Sequence, residues 1–412
     1  MIWRGLRWRA PPHRNLANST GMCKSARRRR AVRYECRHVR VSTYRHFAAR
    51  DVDGTDPQSQ TDESSNTNKE LILSNLFRFH RGIPVLLCAA LPLLAHAAAE
   101  RTFVSSSGAD ANEATNCAPT APCRTFAAAL AVTNPGGEII VLDSAGYGAL
   151  NISQSVSITA PAGIYAGIVA STGVNAINIT DGSNTINVAL RGLTINGSGG
   201  PGGVIMTGGA SLLVEGCEII GNPATGGSIY VSGSINVRVV DTVVRDGNWG
   251  IMLENGVTGD VIHSRLLNNT VGGLLVFAGI ASSTNVAVSD TAAIGGNNGF
   301  LVQANATGAN LVLAVDRSTA AGNTIGFEAE SVSGGTSQLT VSNSLAQNNA
   351  TGIYTSGSGA SAYASGDTIT EAHNSGIHIS AGTTLTTFGT NSLSGNVTDV
   401  DNQGTLTTKA RM

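Results

Sequence analysis

Short runs of alternating apolar and polar residues fill most of this chain, and from about residue 200 onward they recur as one phrase. The clearest copy is Ser234–Asn255, SINVRVVDTVVRDGNWGIMLEN. It returns as Ser283–Ala304 and, more loosely, as Asn310–Ser331, Gly335–Ser356 and Ser361–Ser380. A glycine marks the same place in each copy: Gly203, Gly227, Gly250, Gly273, Gly299, Gly326, Gly352 and Gly376, at spacings of 24, 23, 23, 26, 27, 26 and 24 residues. Gly227 fits only with a one-residue slip. One residue after the glycine stand Ile251, Leu274, Phe300, Phe327, Ile353 and Ile377, and three after it Leu253, Val276, Val302, Ala329, Thr355 and Ile379. Eleven before it stand Val239, Ile262, Val288, Val315, Val341 and Ser365, and seven before it Val243, Leu266, Ala292, Thr319, Leu345 and Ile369. The period within each run is two, so each copy predicts several short strands with one apolar face. Strands that repeat every 23 to 27 residues, with no helical period, predict a solenoid of stacked parallel strands.

Composition agrees. Of 412 residues 50 are Gly, 13% are charged and 5% aromatic, which suits tight corners and small side chains. The first hundred residues are a different object. Residues 1–74 form an Arg-rich, aperiodic prefix that includes the run Arg27–Arg30 and a polar linker. Residues 75–99 have the build of a secretory signal peptide: a basic flank at Arg78, His80 and Arg81, an apolar core at Ile83–Ala95, then Ala-His-Ala or Ala-Ala-Ala as the cleavage site. The apolar core is too short for a membrane span, so no stable span is expected after signal removal. An export signal belongs near a chain start, so translation is expected to begin near Leu71–Leu76, with the prefix a gene-prediction artefact. Residues 101–412 hold 9 Lys and Arg against 19 Asp and Glu, a net charge of −10. That acidity, with an export signal following the basic run, argues against a nucleic-acid partner. The expected location is secreted, periplasmic or cell-surface.

The same boundary divides the cysteines. Cys117 and Cys123, in CAPTAPC, suit a local disulfide in an exported chain. Cys217, inside LLVEGCEII, reads as a buried apolar residue. From residue 100 to 160 the sequence predicts a cap and first coil: a strand at Phe103-Val104, a helix over Arg124–Val132 ended by Asn134-Pro135-Gly136-Gly137, a strand over Glu138–Leu142 and a turn over Asp143–Gly148. Coils are expected over 161–408 and a short tail over 409–412.

The pieces FVSSSGAD, PCRTFAAAL, PGGEIIVLDSAGY and NISQSVSITAP, followed by the repeats, resemble the right-handed parallel β-helix proteins of the pectate-lyase-like superfamily. The resemblance covers roughly residues 102–400. It implies an all-β, right-handed parallel β-helix solenoid with a small N-terminal α/β cap. It does not imply one activity, because that superfamily holds lyases, hydrolases, epimerases and adhesins. No catalytic motif of its lyases or hydrolases is carried over onto these residues, and no calcium-binding nonapeptide occurs. No cofactor and no metal site are expected.

Nine residues before the glycine lie Asp241, Ser264, Asp290, Arg317, Asn343 and Asp367, and just before it Asn248, Asn269, Asn323, Asn349 and Asn374. Both sets are read as polar ladders that satisfy corner backbone groups, not as catalytic acids. Two and four residues past the glycine the pattern faces outward: Met252/Glu254, Leu275/Phe277, Leu301/Gln303, Glu328/Glu330, Tyr354/Ser356 and His378/Ser380. Its second half is the candidate ligand site, made of Gln303, Glu328, Glu330, Tyr354 and His378. Two carboxylates about 6.6 Å apart along one strand would suit chemistry at a glycosidic bond. A sparser outward group is His263, Arg265 and Asp316. The function expected is non-catalytic binding of a polysaccharide or cell-surface glycan. The alternative is a polysaccharide lyase or glycoside hydrolase acting on a neutral or weakly charged polysaccharide, since an anionic uronan would require a basic cleft or calcium.

Overall fold

The computed structural model describes residues 98–410 apart from residue 198 and residues 222–225. The expected prefix at 1–74, nearly all of the signal peptide at 75–99 and the final two residues of the tail lie outside the described residues.

Among the described residues three parallel sheets of 13, 11 and 11 strands make the fold. In each coil the chain lays one strand on the first sheet, one on the second and one on the third, then returns to the first one step further along. Asn236–Val240, Val243–Arg245 and Trp249–Glu254 are one such coil. Each strand pairs in parallel with its copies before and after it, as Ile251 does with Ile229 and Leu274. This is a parallel β-helix. Its interior is a continuous stack of apolar side chains, with Ile251, Leu274, Phe300, Phe327, Ile353 and Ile377 forming one buried column. Phe300 and Phe327 stack within it, ring centroids 5.3 Å apart.

The repeated glycine owes its identity to close approach. Its column runs Gly203, Ser228, Gly250, Gly273, Gly299, Gly326, Gly352, Gly376, so Ser228, and not Gly227, holds the second place. A Cβ on Gly250 would lie 2.6 Å from the Gly273 carbonyl oxygen, and one on Gly326 would lie 2.6 Å from that of Gly352. Positive φ is concentrated at two other corners. One holds Asp241, His263, Asp290, Arg317 and Asn343, the other Asp246, Asn268, Gly295, Gly322 and Asn348. Asn and Asp tolerate that left-handed conformation better than most residues.

Some expected columns shift by one. The first-sheet core column is Val239, Val261, Val288, Val315, Val341 and Ala364, and the second-sheet column is Val244, Leu266, Ala293, Ala320, Ala346 and Ile369. Counting back eleven from the glycine fails only in the coils of Gly273 and Gly376, where the turn before the glycine gains one residue, and counting back seven fails in the other four, whose buried second-sheet residue stands six before it. The left-handed corner residue also breaks strand parity. It sits exposed or half-buried while its successor points inward, so the inward ladder is Thr242, Ser264, Thr291, Ser318, Ser344 and Asp367. Each backbone N–H in that ladder donates to the side chain one coil on, as Ser264 does to Thr291 Oγ1 at 3.2 Å and Ser344 to Asp367 Oδ1 at 3.0 Å. Cys217 occupies the same ladder one coil before Thr242 and is buried there.

The second expected ladder is real for Asn269, Asn323 and Asn349, whose amides cap backbone groups inside the corner. Asn396 extends it, whereas Asn374 is exposed and lies outside it.

At the start of the described chain stands the cap. Its helix covers Phe126–Ala131, with the Thr125 hydroxyl accepting from the Ala128 N–H. The sequence Asn134-Pro135-Gly136-Gly137 does not form the turn expected after it. It lies inside a strand, Thr133–Val141, that pairs with Ala99–Val104 across an irregular register. Likewise Ala145–Gly146, expected in a turn, pairs with Ala166–Gly167 on the second sheet. Cys117 and Cys123 are disulfide-bonded and fully buried. Phe126 packs on Tyr147 at 5.1 Å, and the Tyr147 hydroxyl donates to Asp143, which holds that carboxyl well below its ordinary range. These groups cover the first coil, which would otherwise expose its core.

Candidate functional site

The outward face of the third sheet is built by Trp249–Glu254, Gly272–Ala278, Asn298–Ala304, Ile325–Ser331, Thr351–Ser356, Ser375–Ile379 and Thr398–Asn402. Strand alternation turns every second side chain out, and parallel pairing stacks them in columns. One column reads Met252, Leu275, Leu301, Glu328, Tyr354, His378, Asp401; beside it run Glu254, Phe277, Gln303, Glu330 and Ser356. All five expected site residues therefore share this face, within a few coil rises of about 4.8 Å each.

The face is more closed than the alternation predicts. Leu275, Leu301 and Glu328 are only 5%, 6% and 6% exposed. Gly272 is the reason at one end, because the Trp249 ring fills the space where its side chain would stand: a Cβ there would meet Trp249 at 2.2 Å. Trp249, Leu275 and Leu301, flanked by Met252, Val271 and Phe277, thus form a second apolar cluster outside the helix core.

Beside this platform sits Glu328. Burial pushes its carboxyl up to about 7, and the neighbouring charge of Glu330 pushes the same way. Asn298 Nδ2 donates to Oε2 and opposes the shift. No other donor reaches Glu328 among the described residues, so a buried carboxyl keeps one oxygen free on the outer face. Glu330 accepts from Gln303 Nε2. One coil on, the Tyr354 ring tilts against His378, centroids 5.0 Å apart, and the Ser380 hydroxyl donates to the Tyr354 oxygen at 3.4 Å. His378 Nδ1 lies 2.7 Å from Asp401 Oδ2, and its side chain is 18% exposed. That contact orients the ring. At the other end Glu254, also buried, accepts from Tyr230 at 2.9 Å, and burial raises its pKa.

Sequence reasoning missed Trp249, Asn298 and Asp401. Asp401 was the most accessible, since a further 23 residues beyond His378 reach it, but its coil puts Asp399 where the glycine stood before. Asn298 could not be read, because its burial follows from neighbours three coils wide.

The sparser group, His263, Arg265 and Asp316, does not converge as a set. His263 stands on a corner between Asp241 and Asp290, at 4.0 and 3.8 Å, and Arg317 joins Asp290 to Asp316. Arg265 takes no part in this exposed charge ladder. Among the described residues no three His, Cys, Asp or Glu side chains are placed to hold a metal ion.

Residues 212–409 match a protein-family model described as periplasmic copper-binding protein (NosD). No curated protein matches the chain by sequence. Among solved structures, a crystal structure of pectate lyase Pel9A aligns at 16% identity and a TM-score of 0.39, over 74% of this chain and 79% of that one.

Proposed function

We propose that this chain is an exported β-helix protein that binds a glycan along the outward face of the third sheet. One observation carries the reading: a buried carboxyl with a free oxygen, Glu328, stands between a flat apolar platform and a row of phenol, imidazole and amide groups, all on rigid strands. A sugar ring offers an apolar face and a ring of hydroxyls, and those two surfaces suit the half-buried Met252 and Phe277 side chains that overlie the Trp249–Leu301 cluster and the Gln303, Glu330 and Tyr354 side chains respectively. Export is supported by the signal-peptide pattern at 75–99, the buried Cys117–Cys123 disulfide and the periplasmic character named for the matching family. Copper is a different matter. The donors do not fit it: the one free thiol among the described residues, Cys217, is buried with its pKa pushed up to about 11, and His263 has its carboxylates on opposite sides.

The second reading is a lyase or hydrolase, and the His378–Asp401 pair favours it. An imidazole oriented by a carboxylate, two coils from a raised carboxyl on the same face, supplies the kinds of group that acid–base chemistry requires. The test is a glycan array on residues 100–412, followed by a Glu328→Gln, Glu330→Gln, Tyr354→Ala triple variant against each glycan bound. Binding should fall at least about tenfold with the fold intact by circular dichroism; unchanged affinity places the site elsewhere. New reducing or unsaturated ends that vanish in His378→Ala would move the assignment to the enzyme.

A further inference from the structure

Charge is distributed unevenly over the three sheets. Arg101, Arg191 and Arg238 stand on first-sheet strands, Arg245 and Arg265 on second-sheet strands, and Arg317 at the corner between them. Arg101, Arg191, Arg238, Arg245 and Arg317 are each paired with a carboxylate. The third sheet carries no Lys or Arg on any described strand, yet its outward columns hold Glu254, Glu328, Glu330 and Asp401. The loops that leave this sheet at 255–257, 279–282, 305–309, 332–335 and 357–359 carry no basic residue either. Glu254 is satisfied by Tyr230, Asp401 by His378, and Glu330 by Gln303. Glu328 differs from Glu254 not in burial, 6% against 8% exposed, nor in its single hydrogen bond, but in having a second outward carboxylate, Glu330, on its own strand. Burying a carboxyl beside a second one costs free energy unless a cation or donor completes it.

Resting on the glycan reading above, we propose that the ligand is a cationic amino-sugar polysaccharide, a polymer of glucosamine or galactosamine with free amines, whose ammonium group is received between Glu328 and Glu330. An ammonium supplies three donors. One would meet the open Glu328 oxygen and another the Glu330 carboxylate, and the cation between them lets Glu328 release its proton to solvent and stay ionised beside Glu330. The aromatic face of Tyr354, one coil away at Glu328's register position, adds a cation–π surface beside the same point. An N-acetylated sugar brings a neutral amide that can donate only one hydrogen to the pair and needs room for its methyl group. A uronan brings a carboxylate into a face whose described strands carry no Lys or Arg. The same arrangement therefore selects by attraction and by repulsion.

The experiment compares glucosamine and N-acetylglucosamine oligosaccharides of equal length, with oligogalacturonate as the anionic control, by calorimetry on residues 100–412 at pH 6. Galactosamine oligomers are added as a second amine source, since the ammonium chemistry is shared. The free-amine oligomers should bind at least about tenfold more tightly than the acetylated ones, as expected for one charge-assisted contact. In Glu328→Gln/Glu330→Gln that preference should shrink to within about threefold, and oligogalacturonate should not bind the wild type. Equal or tighter binding of the acetylated oligomers overturns the amine assignment and leaves the glycan-binding reading standing. A preference that survives in the double variant also overturns it, because the amine is then read elsewhere. If no sugar of any class binds, both readings fail together. Circular dichroism of the double variant serves as the folding control, and its spectrum should match that of the wild type.

Discussion

At the residue scale, the informative groups are the two carboxyls the fold holds away from water. Glu328 is raised from 4.5 to about 7 and Asp367 from 3.8 to about 6. Burial is the largest cause in both, and Asp367 keeps one buried oxygen without a partner. An acid raised in the folded chain holds its proton where the unfolded chain has already released it. The folded state is then penalised progressively as pH rises through the window between the two values, with no penalty below the unfolded pKa and the full penalty above the folded one. Stability of the coils should accordingly decline between about pH 4 and pH 7. Glu328→Gln removes one of the two contributions while keeping an acceptor for Asn298. Urea unfolding should find this variant roughly 2–3 kcal/mol more stable than wild type at pH 8, and close to it at pH 4. A variant that shows the wild-type pH slope would mean that Glu328 ionises as freely as an exposed side chain.

At the element scale, glycine serves two unlike purposes within one coil. Gly326 is excluded from having a side chain by the Gly352 carbonyl oxygen 2.6 Å from its would-be Cβ, in backbone that cannot move without shifting the next coil. Gly322 has φ of +64° and open space around its would-be Cβ, and its corner place is held by Asn348 in the next coil and by Asn268 two coils before. Gly326→Ala should therefore destabilise by about 1–3 kcal/mol or more through overpacking. Gly322→Asn should stay within about 0.5 kcal/mol of wild type, because Asn accepts the left-handed conformation. Denaturant midpoints of the two variants measured side by side decide this; equal small losses would show that the coil relaxes around a Cβ at Gly326.

At the scale of the whole molecule, each coil touches mainly the coils beside it, so local damage should stay local. The Cys117–Cys123 bridge closes a loop with a sequence separation of 6 in the cap. By the loop-entropy argument its loss should cost about 2–3 kcal/mol, confined to the cap. Hydrogen exchange on a Cys117→Ser/Cys123→Ser variant should rise across residues 100–147 and remain at wild-type levels from Gly250 onward. Uniform loss of protection would mean that the cap holds every coil. Cys217 should resist a thiol reagent until denaturant is added, since it is 3% exposed and its thiol is raised to about 11.

Much of this architecture was legible because a β-helix repeats its own local rules. Two-residue alternation assigned the core columns beside the glycine, Ile251 to Ile377 and Leu253 to Ile379, and the 23- to 27-residue period required parallel stacking. The outward columns from Leu301 to His378 followed by the same parity, so the grouping of Gln303, Glu328, Glu330, Tyr354 and His378 on one face was a consequence of sequence alone. Register beyond a turn was not, because an added residue before Gly273 and before Gly376 moves the columns upstream by one place. Nor could sequence say that this face closes over Leu275, Leu301 and Glu328. That depends on Trp249 folding across Gly272, on Asn298 reaching from the preceding coil, and on Leu275 and Leu301 closing over each other. Those contacts join residues 23 to 30 positions apart, which only the stacking of successive coils brings into reach.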